Sequence, residues 1–221
     1  MSGVFIAGTD TGVGKTRVAQ ALIQRGVAAG KRVAGMKPIS AGCVWTEEGW
    51  LNDDVALLRA ASNVALPLAL INPYAFEPPI APHLAAQKAG VEIDLARIES
   101  AYHEITAQSD EVIVEGVGGL LVPLNAKHSA ADIILRLDLP VILVVGMRLG
   151  CLNHALLTVE AMAQHGIKLQ AWVANQIDPN MREFDLNLAS LKQRISAPLL
   201  AVFPHSTASR MTLPTIWFDR F

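Results

Sequence analysis

The sequence predicts an α/β fold, a P-loop NTPase-type three-layer sandwich with a mostly parallel sheet and helices on both faces. Three observations carry this prediction. Short apolar runs alternate with helix-like segments along the chain, several runs are apolar at every position, and the first runs into a glycine-rich turn followed by Lys-Thr and a helical pattern. Strands covered on both faces read as continuous apolar runs, and strand-helix alternation is the pattern of a parallel sheet packed between helices. In such sheets ligands sit beyond the carboxyl ends of the strands, so the residues just after each strand are the candidate site.

In chain order, strands are predicted at residues 4–7, 32–36, 111–115, 141–145, 169–174 and 199–203, and helices at 15–29, 53–61, 95–108, 130–137, 152–164 and 182–195. After the first strand comes Gly8-Thr9-Asp10-Thr11-Gly12-Val13-Gly14-Lys15-Thr16. Gly12 and Gly14 let backbone N–H groups curl around a phosphate chain, and the helix start beyond favours negative charge. Lys15 can bridge the outer phosphates, and the Thr16 hydroxyl is placed to ligate Mg²⁺. Five residues separate Gly8 from Gly14, one more than in the simplest form of the motif.

The second strand ends in Met36-Lys37-Pro38, which turns a second lysine toward the pocket of Lys15. Two converging ammonium groups suit chemistry that accumulates negative charge, such as phosphoryl transfer to a carboxylate-like acceptor. Residues 40–54 read as a loop ending in Asn52-Asp53-Asp54. Either aspartate could cap the next helix or reach a metal, with Asp53 preferred as cap and Asp54 in the first turn.

The third strand ends at Glu115, followed by Gly116-Val117-Gly118-Gly119. A carboxylate at a strand end beside a phosphate loop is well placed for Mg²⁺, and the glycines allow close backbone approach. The fifth strand ends in Ala174-Asn175-Gln176-Ile177-Asp178. The amide of Asn175 can read a base edge or form a turn before Pro179, and the Asn-x-x-Asp spacing keeps GTP as a minor option beside ATP. Residues 1–221 read as a single domain, with 207–221 an unassigned C-terminal tail.

Composition excludes other classes. A net charge of −2 and a pI near 6.3 offer no electrostatic reason for nucleic acid or an anionic membrane as partner. Cys43 and Cys151 lack a CxxC partner and read as free thiols. No signal-peptide pattern opens the chain, and its longest apolar stretch, 139–147, is about half a membrane span. A soluble cytoplasmic protein is expected.

Together, Gly8–Thr16, Lys37-Pro38, Asn52-Asp53-Asp54, Asn72-Pro73-Tyr74, Pro82-His83, Glu115–Gly119, Leu149–His154 and Trp172–Asn175 resemble the dethiobiotin synthetase family in unbroken order over about residues 3–206. The long P-loop is itself typical of that family. The resemblance implies an ATP-dependent cyclo-ligase of biotin biosynthesis: CO₂ adds to one amine of 7,8-diaminononanoate, ATP phosphorylates the carbamate, and the second amine closes the ureido ring. It implies Lys37 and Lys15 as catalytic residues, and Mg²⁺ on Thr16, Asp54 and Glu115. The nucleotide falls to Gly12, Val13, Gly14, Lys15, Thr16, Arg17, Asp54, Glu115, Gly116, Val117, Gly118 and Gln176, with Asn175 at adenine and Pro204, His205 and Ser206 at base or ribose. The substrate falls to Thr11, Ser40, Ala41 and the stretch Gly150, Cys151, Leu152 and Asn153. This stretch, at a helix start, resembles the piece that holds the substrate carboxylate across a homodimer interface. One departure stands out: the family's hydroxyl four residues after the catalytic lysine is replaced by Ala41, with Ser40 one position earlier.

The rival reading is a P-loop switch ATPase of the partitioning or site-selection type, which resembles this chain around GVGKT. Such proteins carry an extra lysine early in the loop, where this chain has Thr9-Asp10-Thr11.

Overall fold

The computed structural model describes residues 2–205. Each sequence-predicted strand and helix is present. In chain order the elements are β1 (Ser2–Gly8), α1 (Lys15–Ala28), β2 (Val33–Met36), β3 (Ile39–Ala41), β4 (Val44–Thr46), β5 (Gly49–Leu51), α2 (Asp53–Ala61), α3 (Leu68–Ile71), β6 (Tyr74–Phe76) and α4 (Pro82–Lys88). Then follow α5 (Leu95–Thr106), β7 (Glu111–Glu115), α6 (Ala130–Leu137), β8 (Val141–Met147), α7 (Cys151–Gln164), β9 (Leu169–Gln176), α8 (Phe184–Arg194) and β10 (Leu199–Phe203).

The main sheet has the order β10-β9-β8-β1-β7-β2, and every neighbouring pair is parallel. The middles of its strands are apolar because both faces are buried there. Successive side chains point to opposite faces: Phe5, Val112, Val114, Leu143, Val145 and Trp172 enter one core, while Ile6, Ile113, Ile142, Val144 and Val173 enter the other. Helix α1 supplies Val18, Ala19 and Ile23 to the second core, and α2 adds Leu58. Helices α5, α6 and α7 supply Ile98, Ile133 and Met162 to the first. Fully burying one such aliphatic side chain contributes about 1.5–3 kcal/mol, so this double-sided burial is the main stabilising term.

From β1 the chain runs to β2 and back to β7 between them, then crosses to β8, β9 and β10 on the other side of β1, so the direction of winding reverses between β1 and β7. Strand ends diverge at such a switch point and leave a crevice there. Gly8, Lys37, Glu115 and Asn175 all lie at or just past strand ends along that edge.

The structure differs from expectation mainly between residues 39 and 88. The loop predicted at 40–54 contains the antiparallel hairpin β4–β5, whose cross-strand pair Trp45 and Trp50 packs edge to face at 5.2 Å. Strands β3 and β6 form a separate parallel pair. Helix α8 starts at Phe184 instead of 182, after Glu183 in the left-handed region at φ 54°. Cys43 and Cys151 are free and buried. Among the described residues no helix is long and apolar enough to cross a membrane. The tail at 207–221 and the Ser206 position lie outside the described residues.

Candidate active site

Between β1 and α1 the chain makes the long P-loop turn, with Gly12 at φ 72° and Gly14 at φ 90°, backbone that a side chain would strain. The turn is braced from beneath. The Val13 side chain is buried in the α1 core, and its carbonyl accepts a 2.7 Å hydrogen bond from Asn175 Nδ2. A Cβ on Gly14 would collide with that same amide nitrogen, so glycine is required there by space as well as by φ.

Lys15 is buried, and its Nζ donates to the carbonyls of Asp10 at 2.9 Å and Gly118 at 2.8 Å. It therefore joins the phosphate loop to the glycine turn after β7. Burial, followed by the nearby charge of Lys37, lowers its pKa to about 8.

Lys37 lies past the end of β2, where its backbone N–H donates to Ile71 O at 2.9 Å. Its Nζ is 2.6 Å from Asp54 Oδ2 and 2.6 Å from Glu115 Oε1. Thr16 Oγ1 donates to the same Glu115 oxygen at 2.8 Å. Burial works against charge on this lysine, but Glu115 and Asp54 outweigh it and its pKa is raised, so it is an ammonium. Burial also pushes the Glu115 carboxyl up, against the pull of Lys37. Asp54, more exposed, is held below its usual range because Lys37 outweighs its burial.

Asp54 reaches this cluster because Asn52 caps α2. The Asn52 Oδ1 accepts from the Asp54 N–H at 3.0 Å, which corrects the expectation that Asp53 is the cap. Asp53 instead sits exposed in the first turn. Thr16, Asp54 and Glu115 thus meet as hard oxygen donors. Glu115 Oε2 is buried without a hydrogen-bond partner among the described residues. An orphaned buried carboxylate oxygen beside a phosphate loop fits Mg²⁺ or one of its waters, and Mg²⁺ on a nucleotide uses few protein ligands besides phosphate and water.

These groups line a cavity of about 770 Å³. Of the sequence-predicted residues, Thr11, Gly12, Gly14, Lys15, Thr16, Arg17, Lys37, Ser40, Ala41, Asp54, Glu115, Val117 and Gly118 are in its wall. Gly116 lies behind it, where a Cβ would strike the Phe5 ring. Gln176, Pro204 and His205 gather beside Asn175, with the His205 N–H 3.4 Å from Gln176 Oε1. Asp178 accepts from the Asn180 N–H at 2.8 Å in a turn of its own.

The stretch Gly150–Asn153 is not in this wall. Cys151 is buried, Asn153 is exposed, and the preceding Leu149 is 96% exposed. The link to the P-loop here is Arg148, whose Nη2 lies 2.8 Å from Asp10 Oδ2.

Sequence reasoning missed further lining residues: Gln20, Leu57, Pro79, Ile80, Ala81 and Val122. It also missed where Ser40 points. The Ser40 hydroxyl donates to Asn72 Oδ1 at 2.7 Å, and Asn72 Nδ2 donates to Lys37 O at 2.6 Å. Both side chains are buried, so the hydroxyl one position before Ala41 braces the lysine strand end, while Ser40 also forms part of the cavity wall.

The family model described as an AAA domain matches residues 2–210. The ATP-dependent dethiobiotin synthetase BioD of Aromatoleum aromaticum is 55% identical over 201 residues, covering 91% of this chain and 89% of that protein. The enzyme of the same name from Nitrosospira multiformis is 53% identical, covering 92% and 88%. Among solved structures, the septum site-determining protein MinD of Pyrococcus horikoshii, complexed with Mg-ADP, aligns with a TM-score of 0.60 at 16% identity, covering 93% of this chain and 82% of that one. Likeness at that identity shows a shared fold alone. Identity above one half, over about nine-tenths of both chains, places this protein in the ATP-dependent dethiobiotin synthetase family.

Proposed function

We propose that a single P-loop domain performs the family's ring closure with Lys37 at the acceptor end of the cavity and Lys15 at the nucleotide end. A dethiobiotin synthetase joins CO₂ to one amine of 7,8-diaminononanoate as a carbamate. A carbamate oxygen then takes the γ-phosphoryl of ATP, and the second amine attacks the carbonyl carbon, expelling phosphate and closing the cyclic urea.

The observation that carries the reading is the buried Lys37 ammonium, held at the cavity wall by Asp54 and Glu115 and aimed at the same space as Lys15. A desolvated cation stabilises negative charge far better than one in water, and charge builds on the carbamate and on the phosphoryl oxygens together. Lys15 steadies the outer phosphates, with the open N-terminus of α1 behind them. Thr11, in the cavity wall, is assigned to the substrate. Thr16, Asp54 and Glu115 would hold Mg²⁺, which when bound neutralises phosphate charge. Asn175 would face adenine, with Gln176, Pro204 and His205 alongside.

Gly150–Asn153 is assigned to the carboxylate of a substrate in a partner's cavity, in a homodimer with shared sites. Its absence from this chain's own cavity wall and the exposure of Asn153 support that assignment. A metabolic ligase of this kind belongs in the cytoplasm. The test is phosphate release that requires the diamine and stops when CO₂ is withheld. Phosphate release indifferent to the diamine would favour the switch-ATPase reading.

A further inference from the structure

Arg17 follows Thr16 in α1 and reaches the end of the cavity wall next to Asn175. Its Nη1 donates to Asn175 Oδ1 at 3.0 Å and to the Pro204 carbonyl at 2.9 Å. Its guanidinium carbon also lies 5.1 Å from the centre of the Phe203 ring. Phe203 pairs with Asn175 across β10 and β9, so one side chain from the phosphate-loop helix grips two neighbouring strand ends.

On its far side, the Asn175 carboxamide donates to Val13 O at 2.7 Å. A guanidinium can only donate and a carbonyl can only accept. Two partners of opposite polarity therefore settle which way round the amide lies, with its oxygen toward Arg17 and its nitrogen toward the loop. The oxygen keeps a second lone pair and the nitrogen a second hydrogen. That pair of groups matches the N6 amino and N7 edge of adenine, whereas guanine presents acceptors at both positions.

We propose that Arg17 is a positioning residue for base selection, holding the Asn175 carboxamide and the strand end at Pro204 so that an adenine nucleotide is taken in preference to a guanine nucleotide. The proposal rests on the reading of Asn175 as the base contact and adds what orients it. It also gives Arg17 a role distinct from the phosphate ligands beside it in sequence, because its hydrogen bonds to Asn175 and Pro204 run toward the ends of β9 and β10.

The experiment is calorimetric titration of Mg²⁺-ATP, Mg²⁺-GTP and inorganic tripolyphosphate into the parent, Arg17→Met, Arg17→Lys, Asn175→Ala and the double variant. Arg17→Met should weaken ATP about tenfold and leave GTP and tripolyphosphate within about twofold, narrowing the ATP to GTP ratio. Arg17→Lys should recover part of the loss, since a donor cation remains. The double variant should select no worse than Asn175→Ala, because both act through one amide. Thermal melting checks that each variant is folded.

Equal weakening of all three ligands by Arg17→Met, or no change in any, overturns the proposal. If Asn175→Ala narrows the ratio and Arg17→Met does not, the role of Arg17 fails while the base contact stands. If Asn175→Ala leaves the ratio intact, the base contact fails and the proposal falls with it.

Discussion

Lys37 Nζ lies 2.6 Å from Glu115 Oε1, so the lysine assigned to catalysis is also the counter-ion of a fully buried carboxylate. The two roles bear on one another. Removing the ammonium leaves Glu115 without its neutralising partner, and breaking a buried pair from one side costs about 3–5 kcal/mol. Lys37→Met should lose stability of that order in urea unfolding, and Lys37→Met with Glu115→Gln should recover most of it. If the double variant is no more stable than the single one, the pair is not coupled as described.

The carboxylates should also govern metal use. Glu115→Gln and Asp54→Asn should weaken Mg²⁺-dependent nucleotide binding by tenfold or more, while binding of nucleotide in the presence of a chelator changes about twofold. Calorimetry with and without Mg²⁺ reads both. Equal losses in the two conditions would remove Asp54 and Glu115 from the metal.

The Ser40 hydroxyl is engaged by Asn72, which in turn holds the Lys37 carbonyl. Ser40→Ala should therefore cost about 1 kcal/mol of stability, the scale of one buried hydrogen bond. It should lower turnover more than it raises KM for the diamine, since Lys37 loses support while the cavity wall keeps its shape. A rise in diamine KM with turnover unchanged would mean that the hydroxyl contacts substrate after all.

A shared site makes a complementation test decisive. Inactive Lys37→Ala chains mixed with inactive Asn153→Ala chains should regain activity, because one composite cavity becomes whole. Heterodimers that form and remain inactive would place Gly150–Asn153 outside the substrate site.

Much of this site was legible before the fold was seen, for physical reasons. The main-sheet strands are continuous apolar runs because both faces are covered, and Lys37 and Glu115 announce themselves by interrupting that pattern at strand ends. Elements β3 to β6, α3 and α4 carry no readable period because each spans only three to seven residues. The Pro79–Pro82 segment reads locally as a proline-rich turn, and only the tertiary fold brings it into the same cavity as the P-loop. The cap of α2 was misassigned because Asn52, Asp53 and Asp54 are all competent caps, and backbone geometry chose the first. The bond from Asn175 to Val13 spans 162 positions and leaves no local trace.

The account turns on Lys37 acting on the reacting groups while Lys15 serves the nucleotide. The direct measurement is ATP affinity by calorimetry beside diamine-dependent phosphate release, for Lys37→Ala and Lys15→Ala, below the melting temperature of each. Lys37→Ala should retain ATP affinity within a few-fold and lose turnover by about 10²–10³, the scale of one cation at developing charge. Lys15→Ala should lose both. Near-parental turnover in Lys37→Ala, or a loss of ATP affinity as large as its loss of turnover, would contradict the assignment.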